Sequence, residues 1–190
     1  PGARVYMLPC IAGHVGADAA AATLSESPYS LEETTLLVDV GTNAEIVLGN
    51  KHRLLAASSP TGPAFEGAEI SSGQRAAPGA IERIRIDKDT LEPRFKVIGV
   101  DEWSDEEGFS EKIDSVGVTG ICGSGIIEAV VEMYLSGLIT EDGVIDGSMA
   151  EKTHRIRSEG RTFSYVIADR DIEISILQTD IRAIQLAKGA

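Results

Sequence analysis

Residues 34–60 read TTLLVDVGTNAEIVLGNKHRLLAASSP, and the organisation of this stretch decides the fold. Thr34 to Asp39 is an apolar, β-branched run of the strand type. Gly41, Thr42 and Asn43 turn the chain, and Ala44 to Leu48 makes a second strand. Gly49, Asn50 and Lys51 turn it again, and Arg53 to Ser58 makes a third. Three strands joined by tight turns form a meander.

Upstream, a helix is predicted over about Val15 to Leu24, followed by a linker from Ser25 to Glu33. Downstream, Pro60 to Gly79 is too rich in Gly and Pro for a regular element. Ile81–Ile86 and Arg94–Val100 flank the turn signal Asp87-Lys88-Asp89-Thr90 and predict a hairpin. A short strand is expected over Val116–Thr119, then a glycine loop, then a helix from about Ser124 to Leu138. That helix repeats Ile126, Ile127, Val130, Val131, Tyr134, Leu135 and Leu138 at helical spacing. Ile139 to Arg161 is polar and turn-rich. Phe163–Ala168 and Ile172–Leu177 read as strands, and Gln178–Ala190 begins a last helix with Thr179 as N-cap. The pattern predicts an α/β fold, a mixed sheet with helices, as a single domain over residues 1–190.

Composition narrows the function classes. At 190 residues, 43% hydrophobic and 25% charged, the chain carries enough apolar material for one core. Seventeen Lys and Arg against thirty Asp and Glu give a formal charge of −13. No nucleic-acid partner and no membrane surface is therefore expected. Seven acids and one Lys lie between Asp101 and Asp114, so residues 101–115 are expected to be an acidic, solvated loop or a docking patch. Cys10 and Cys122 are far apart, which excludes a zinc ribbon or four-cysteine cluster within this chain and suits a reducing, cytoplasmic setting. His14, His52 and His154 have no metal or triad spacing.

Three segments carry candidate chemistry. In Val38-Asp39-Val40-Gly41-Thr42-Asn43 an aspartate ends a strand and a glycine opens a turn. The turn amides suit a phosphate, and the carboxylate suits a metal ion held through water; an ordinary β-turn has the same residues. Gly120-Ile121-Cys122-Gly123-Ser124-Gly125 leads into a helix N-terminus, which favours anions. Its order is not that of a dinucleotide fingerprint, and tight strand–helix packing explains the glycines equally well. The third is Ser58 to Ala68, a Gly/Pro loop with one aromatic and one acid, Glu66. It reads as a rigid scaffold or as the rim of an active site.

In order along the chain, LLVDVGTNAEIVLGN, ASSPTGPAFEGAEISSGQRAAPGAIERI, GICGSGIIEAVVEMYLSGLI and LQTDIRAIQLAKGA together resemble the C-terminal domain of the reductive activators of corrinoid proteins. LPCIAGHVGADAAAATL near the start resembles it too. That family belongs to the acetate and sugar kinase, heat-shock chaperone and actin superfamily. The resemblance implies an actin-like, ribonuclease H-like ATPase lobe with β-hairpin insertions. It implies ATP and Mg²⁺ as cofactors, a corrinoid protein as partner, and ATP-dependent reduction of its cobalt from Co(II) to Co(I).

Carried over by motif, Asp39, Gly41, Thr42 and Asn43 would face the phosphates. Asp39 would be the catalytic residue and would hold Mg²⁺ through water. Thr61, Gly62, Glu66 and Gly67 would line the cleft, with Gly123, Ser124 and Gly125. Departures are Ala44-Glu45 for the usual Gly-Glu, and Pro60-Thr61-Gly62-Pro63 for Ala-Ala-Gly-Pro. The first phosphate motif, the adenosine motif and the [2Fe–2S] cysteines expected in the full-length protein have no match. The chain thus reads as one lobe of a two-lobed ATP-binding domain, truncated at both ends. Its other partners would be the missing parts of its own polypeptide, and a homodimer stays open. A small-molecule kinase of the same superfamily and a non-catalytic interaction module are the alternatives.

Overall fold

The computed structural model describes residues 2–170 and 172–189; for Phe65 and Glu66 it describes the backbone. The chain forms two compact units, divided between Gly62 and Pro63.

In the first unit, α1 (Ala17–Glu26) starts without a side-chain cap at Gly16. It ends on Ser27, which takes the left-handed conformation and returns its N–H to the Thr23 carbonyl. The expected linker is thus partly structured: Ser25 and Glu26 belong to α1, and Pro28–Ser30 forms a 3₁₀ turn. The predicted meander follows as β1 (Thr35–Val40), β2 (Asn43–Asn50) and β3 (Arg53–Pro60), antiparallel in the order β1-β2-β3. Its register aligns Leu36 with Leu48 and Leu48 with Leu55, and Val38 with Ile46. Strand residues alternate faces, so one face is a row of these aliphatic side chains. Leu36, Val38, Val40, Leu48 and Leu55 are all exposed there. Val47 is buried on the other face. That second face also carries the polar side chains of Asp39, Glu45 and Ser58.

The second unit holds the hydrophobic core, which runs from Ile70 to Ile184. β4 (Ala80–Ile86) and β5 (Pro93–Val97) form the expected hairpin, with Ile84 opposite Phe95. Asp87 shapes its turn by accepting from the N–H groups of Asp89 and Thr90 and from the Thr90 hydroxyl. These bonds, led by the Thr90 N–H, hold the Asp87 carboxyl below the usual range. β6 is Gly120–Ile121, parallel to β4. The strand expected at Val116–Thr119 is absent because those residues complete a turn: the Val116 and Gly117 amides return to the Ile113 carbonyl.

The acidic stretch is not simply a solvated loop. It contains α2 (Phe109–Ile113), whose Phe109 and Ile113 are buried. Phe109 meets the Phe95 ring edge-on, with centroids 5.8 Å apart. Ser104 exchanges two hydrogen bonds with the Phe95 backbone, and the Arg94 guanidinium lies 4.9 Å from the centroid of the Trp103 ring. A few apolar anchors dock an acidic segment.

α3 (Gly123–Leu135) buries Ile126, Ala129 and Met133, with Leu138 just beyond its end. Ile127, Val131, Tyr134 and Leu135, expected on the same apolar surface, point to solvent instead. The helix lies along the open edge of β4. Glu128 accepts the Ile84 N–H at 2.8 Å, and Glu132 accepts the Ile86 N–H at 3.1 Å. Four helical residues advance about 6.0 Å and two strand residues about 6.7 Å, so the carboxylates match the spacing of the strand amides. The helix replaces the hydrogen bonds of a neighbouring strand.

The segment expected to be turn-rich buries Ile139, Ile145 and Ile156 and carries β7 (Ile156–Glu159). With β8 (Thr162–Asp169) and β9 (Glu173–Leu177) it forms a second antiparallel sheet. α4 spans Gln178–Gly189; Ala190, the expected helix end, lies outside the described residues. Thr179 sits inside the first turn of α4, not at its cap. The capping carboxylate is Asp180, which accepts the Leu177 N–H at 2.8 Å. No described helix is long and apolar enough to cross a membrane.

Candidate functional site

The turn between β1 and β2 is built by backbone and hydroxyl groups from the end of β3. Gly41 donates its N–H to the Asn43 carbonyl at 2.9 Å. The register places Asn43 opposite Pro60, so the next two residues reach the turn. Thr61 and Gly62 donate their N–H groups to the Thr42 carbonyl at 3.2 and 3.0 Å. The Thr61 hydroxyl bonds the carbonyl oxygens of Gly41 and Thr42. The structure therefore brings Gly41, Thr42, Asn43, Thr61 and Gly62 together. Because the donors of Thr61 and Gly62 are spent on the turn, these residues fix its shape instead of offering amides outward.

Asp39 lies opposite Glu45, and Glu45 lies opposite Ser58, so the three side chains share one face of the meander. Glu45 accepts the Ser58 hydroxyl at 3.1 Å. Two carboxylates directly across a strand pair repel unless a cation is shared. Hard oxygen donors of this kind suit Mg²⁺. Glu45 was given no role from the sequence; it faces Asp39 because three residues, Gly41 to Asn43, separate the paired Val40 and Ala44.

The other candidates belong to the second unit, around a 3₁₀ turn at Pro63–Glu66. Gly67 follows with φ +82°. A Cβ there would lie 2.8 Å from the Gln74 carbonyl oxygen, so both conformation and space demand glycine. The Glu66 side chain lies outside the described residues. At the start of α3, the N-cap Cys122 offers no side-chain acceptor to the first-turn amides. Ser124 turns its hydroxyl to the Glu82 carbonyl at 3.1 Å. A Cβ on Gly125 would come within 2.5 Å of the Ile81 carbonyl oxygen, and one on Gly120 within 2.7 Å of Gln74 Oε1. Gly125 thus answers to strand–helix packing, and Gly120 to the Ser72–Gln74 loop packed on β6.

Comparison with known proteins identifies the family. The family described as the C-terminal domain of RACo, the ASKHA domain, matches residues 33–190. The chain belongs to this family. The RACo C-terminal domain is the actin-like ASKHA type expected from the motifs, and its match includes the β1–β2 turn, the Gly/Pro loop, α3 and α4. The chain is 33% identical to the corrinoid activation enzyme RamQ of Eubacterium limosum, along its whole length and 30% of RamQ. It is 36% identical to a Co(II) methylated amine-specific corrinoid protein reductase of Methanosarcina barkeri, over 72% of this chain and 26% of that protein. A solved structure, a reductive activator for corrinoid, iron-sulfur protein, superposes with a TM-score of 0.81 at 34% identity. The superposition covers 97% of this chain and 28% of that one. The chain thus spans under a third of the length of these RACo-type relatives.

Proposed function

We propose that this chain supplies one phosphate-binding lobe of an ATP-dependent activator that returns a corrinoid protein from Co(II) to Co(I). The observation that carries this reading is the β1–β2 turn. Thr61 and Gly62 lock it, and Asp39 and Glu45 stand opposed beside it. In this reading Asp39 would hold Mg²⁺, with Glu45 adding negative charge across the strand pair. Gly41, Thr42 and Asn43 shape the turn at the phosphates. The loop through Glu66 and Gly67, and Gly123, Ser124 and Gly125 at the start of α3, are assigned to nucleotide binding by motif, as the second unit's contribution. Bound Mg²⁺ neutralises phosphate charge; the residues of the chain orient the phosphates and fix where the metal stands.

The chain's own cysteines do not fit a [2Fe–2S] site. Cys10 is exposed, while Cys122 is buried at the start of α3. Among the described residues no group of three or more His, Cys, Asp or Glu could hold a metal ion. The electron source is therefore assigned to another part of a longer, cytoplasmic polypeptide, and the partner is a corrinoid protein.

The test is Asp39→Ala in the full-length protein, with Co(I) formation on the corrinoid protein followed by its absorbance. ATP-dependent reduction should be abolished while circular dichroism stays unchanged. Undiminished reduction removes Asp39 from the mechanism, and phosphorylation of a small molecule in place of cobalt reduction would make this a kinase.

A further inference from the structure

The last of the sequence motifs, LQTDIRAIQLAKGA, has no part in the site just described, yet the structure ties it to the Gly/Pro loop. Asp180 is 2% exposed, a carboxylate taken out of water and, among the described residues, bonded to no Lys or Arg. One oxygen accepts the N–H and the hydroxyl of Ser71, each at 2.9 Å. The other accepts the Leu177 N–H. Burying a charge on neutral donors is costly, and capping α4 needs only one of these bonds, which a half-exposed side chain supplies in most helices. The second oxygen serves the loop.

Ser71 is the start of a relay that ends at the candidate site. Ser72 exchanges hydrogen bonds of 3.3 Å with the Ser175 backbone of β9, and its carbonyl accepts the Ile121 N–H of β6. Gly73 bridges to Ile121 and packs backbone to backbone on Gly67: a Cβ on Gly73 would lie 1.9 Å from the Gly67 carbonyl oxygen. Gly67 in turn donates to the Ala64 carbonyl and closes the 3₁₀ turn that carries Glu66. α3 and α4 both pack on that turn. Ser71 is thus linked, two residues on at Gly73, to Gly67 by close backbone packing.

We propose that Asp180 is a positioning residue for nucleotide binding, which clamps Ser71 so that the Glu66–Gly67 loop is held in its binding shape. This rests on the nucleotide reading above. When only a fraction of molecules holds the competent shape, the apparent affinity falls by that fraction. Release of the loop to about one-tenth occupancy weakens MgATP about tenfold.

The experiment uses the full-length protein. MgATP affinity is measured by titration calorimetry, and amide hydrogen exchange is followed at residues 67–74. The proteins compared are the unmodified one, Asp180→Asn, the milder Ser71→Ala, and Ile184→Ala, which opens a cavity in the same helix away from the relay. Asp180→Asn should weaken MgATP about tenfold and Ser71→Ala about threefold, both with faster exchange in the loop. Ile184→Ala should lower the melting temperature but leave affinity within about twofold, a separation that a merely structural Asp180 would not give. Faster exchange with unchanged affinity in both relay variants overturns the positioning role and leaves the nucleotide reading standing. Failure of the unmodified protein to bind MgATP overturns that reading and this proposal with it. If Asp180→Asn does not fold, the affinity of Ser71→Ala decides.

Discussion

Replacing Glu128 with alanine tests whether a helix can stand in for a β-strand at the edge of a sheet. The Glu128 carboxylate accepts three hydrogen bonds: the Ile84 N–H at 2.8 Å, Arg83 Nε at 2.7 Å and Arg85 Nη1 at 2.8 Å. Ile84 is fully buried, so in Glu128→Ala its amide loses its only carboxylate partner in a place poorly served by water. An unsatisfied buried donor costs about 1–3 kcal/mol. The two half-exposed arginines add little, at about 0–1 kcal/mol per exposed pair. Glu128→Ala should therefore destabilise the second unit by about 2–3 kcal/mol, and Glu128→Gln, which keeps an acceptor for Ile84, by about 1 kcal/mol. Trp103 is the chain's single tryptophan and lies in that unit, so its fluorescence during urea unfolding reports the relevant transition.

The pH dependence supplies the sign. Burial pushes the Glu128 carboxyl up, but the Ile84 N–H, Arg83 and Arg85 together outweigh it and hold the group below its usual value. A carboxylate depressed in the folded state contributes stability that is fully present above its unfolded pKa of about 4.3. That contribution is lost as pH falls through the lower folded value. The gap between the unmodified protein and Glu128→Gln should thus be constant from pH 6 to 8 and close in acid. Glu128→Ala within about 0.5 kcal/mol of the unmodified protein, or a gap that widens in acid, would refute the edge-cap reasoning.

Two further outcomes follow from the packing. Gly125→Ala sets a methyl 2.5 Å from the Ile81 carbonyl oxygen and should destabilise by about 1–3 kcal/mol, read by the same urea titration; a neutral result would return the glycine pattern to ligand binding alone. Phe109→Ala should cost about 3–5 kcal/mol, whereas Glu106→Ser with Glu107→Ser should stay within about 0.5 kcal/mol, because Phe109 alone of the three is buried. Equal effects would mean that charge, not the apolar anchor, organises residues 101–115.

Much of the fold was legible because the meander states itself locally. Apolar runs broken by turn residues give three strands with no distant information, although the second turn is Lys51-His52 and Gly49 and Asn50, expected in it, pair with Leu54 and Arg53 inside β2. The same local reading misassigned the surface of α3, since Ile127, Val131, Tyr134 and Leu135 have the same periodicity as Ile126 and Met133, and only the position of β4 separates buried from exposed. It also missed Glu128 and Glu132, which look like solvated helix charges until a strand edge is set beside them. For the site, Asp39, Gly41, Thr42 and Asn43 were visible as a motif. Glu45 and Asp180 were not, because one takes its meaning from a cross-strand partner and the other from a serine over a hundred positions away.

The two units differ in what holds their candidate residues. In the second, Gly67 is fixed by close backbone packing and by a loop bonded to β6, β9 and α4, within a core from Ile70 to Ile184. In the first, the turn at Gly41–Asn43 rests on hydrogen bonds from Thr61 and Gly62, in a unit whose buried apolar side chains, among the described residues, are few: Val15, Ala19, Pro28 and Val47. Such a unit opens at low free-energy cost, because local stability follows buried apolar contact. Ordering that turn then falls on whatever binds there or covers the aliphatic face of the meander. If the turn binds phosphate as proposed, the ligand would shift the order of β1 to β3 more than that of β8, whose residues Ser164 to Ala168 are buried throughout. Coupling between binding and order is expected to be concentrated in the meander, the same stretch whose sequence was the easiest to read.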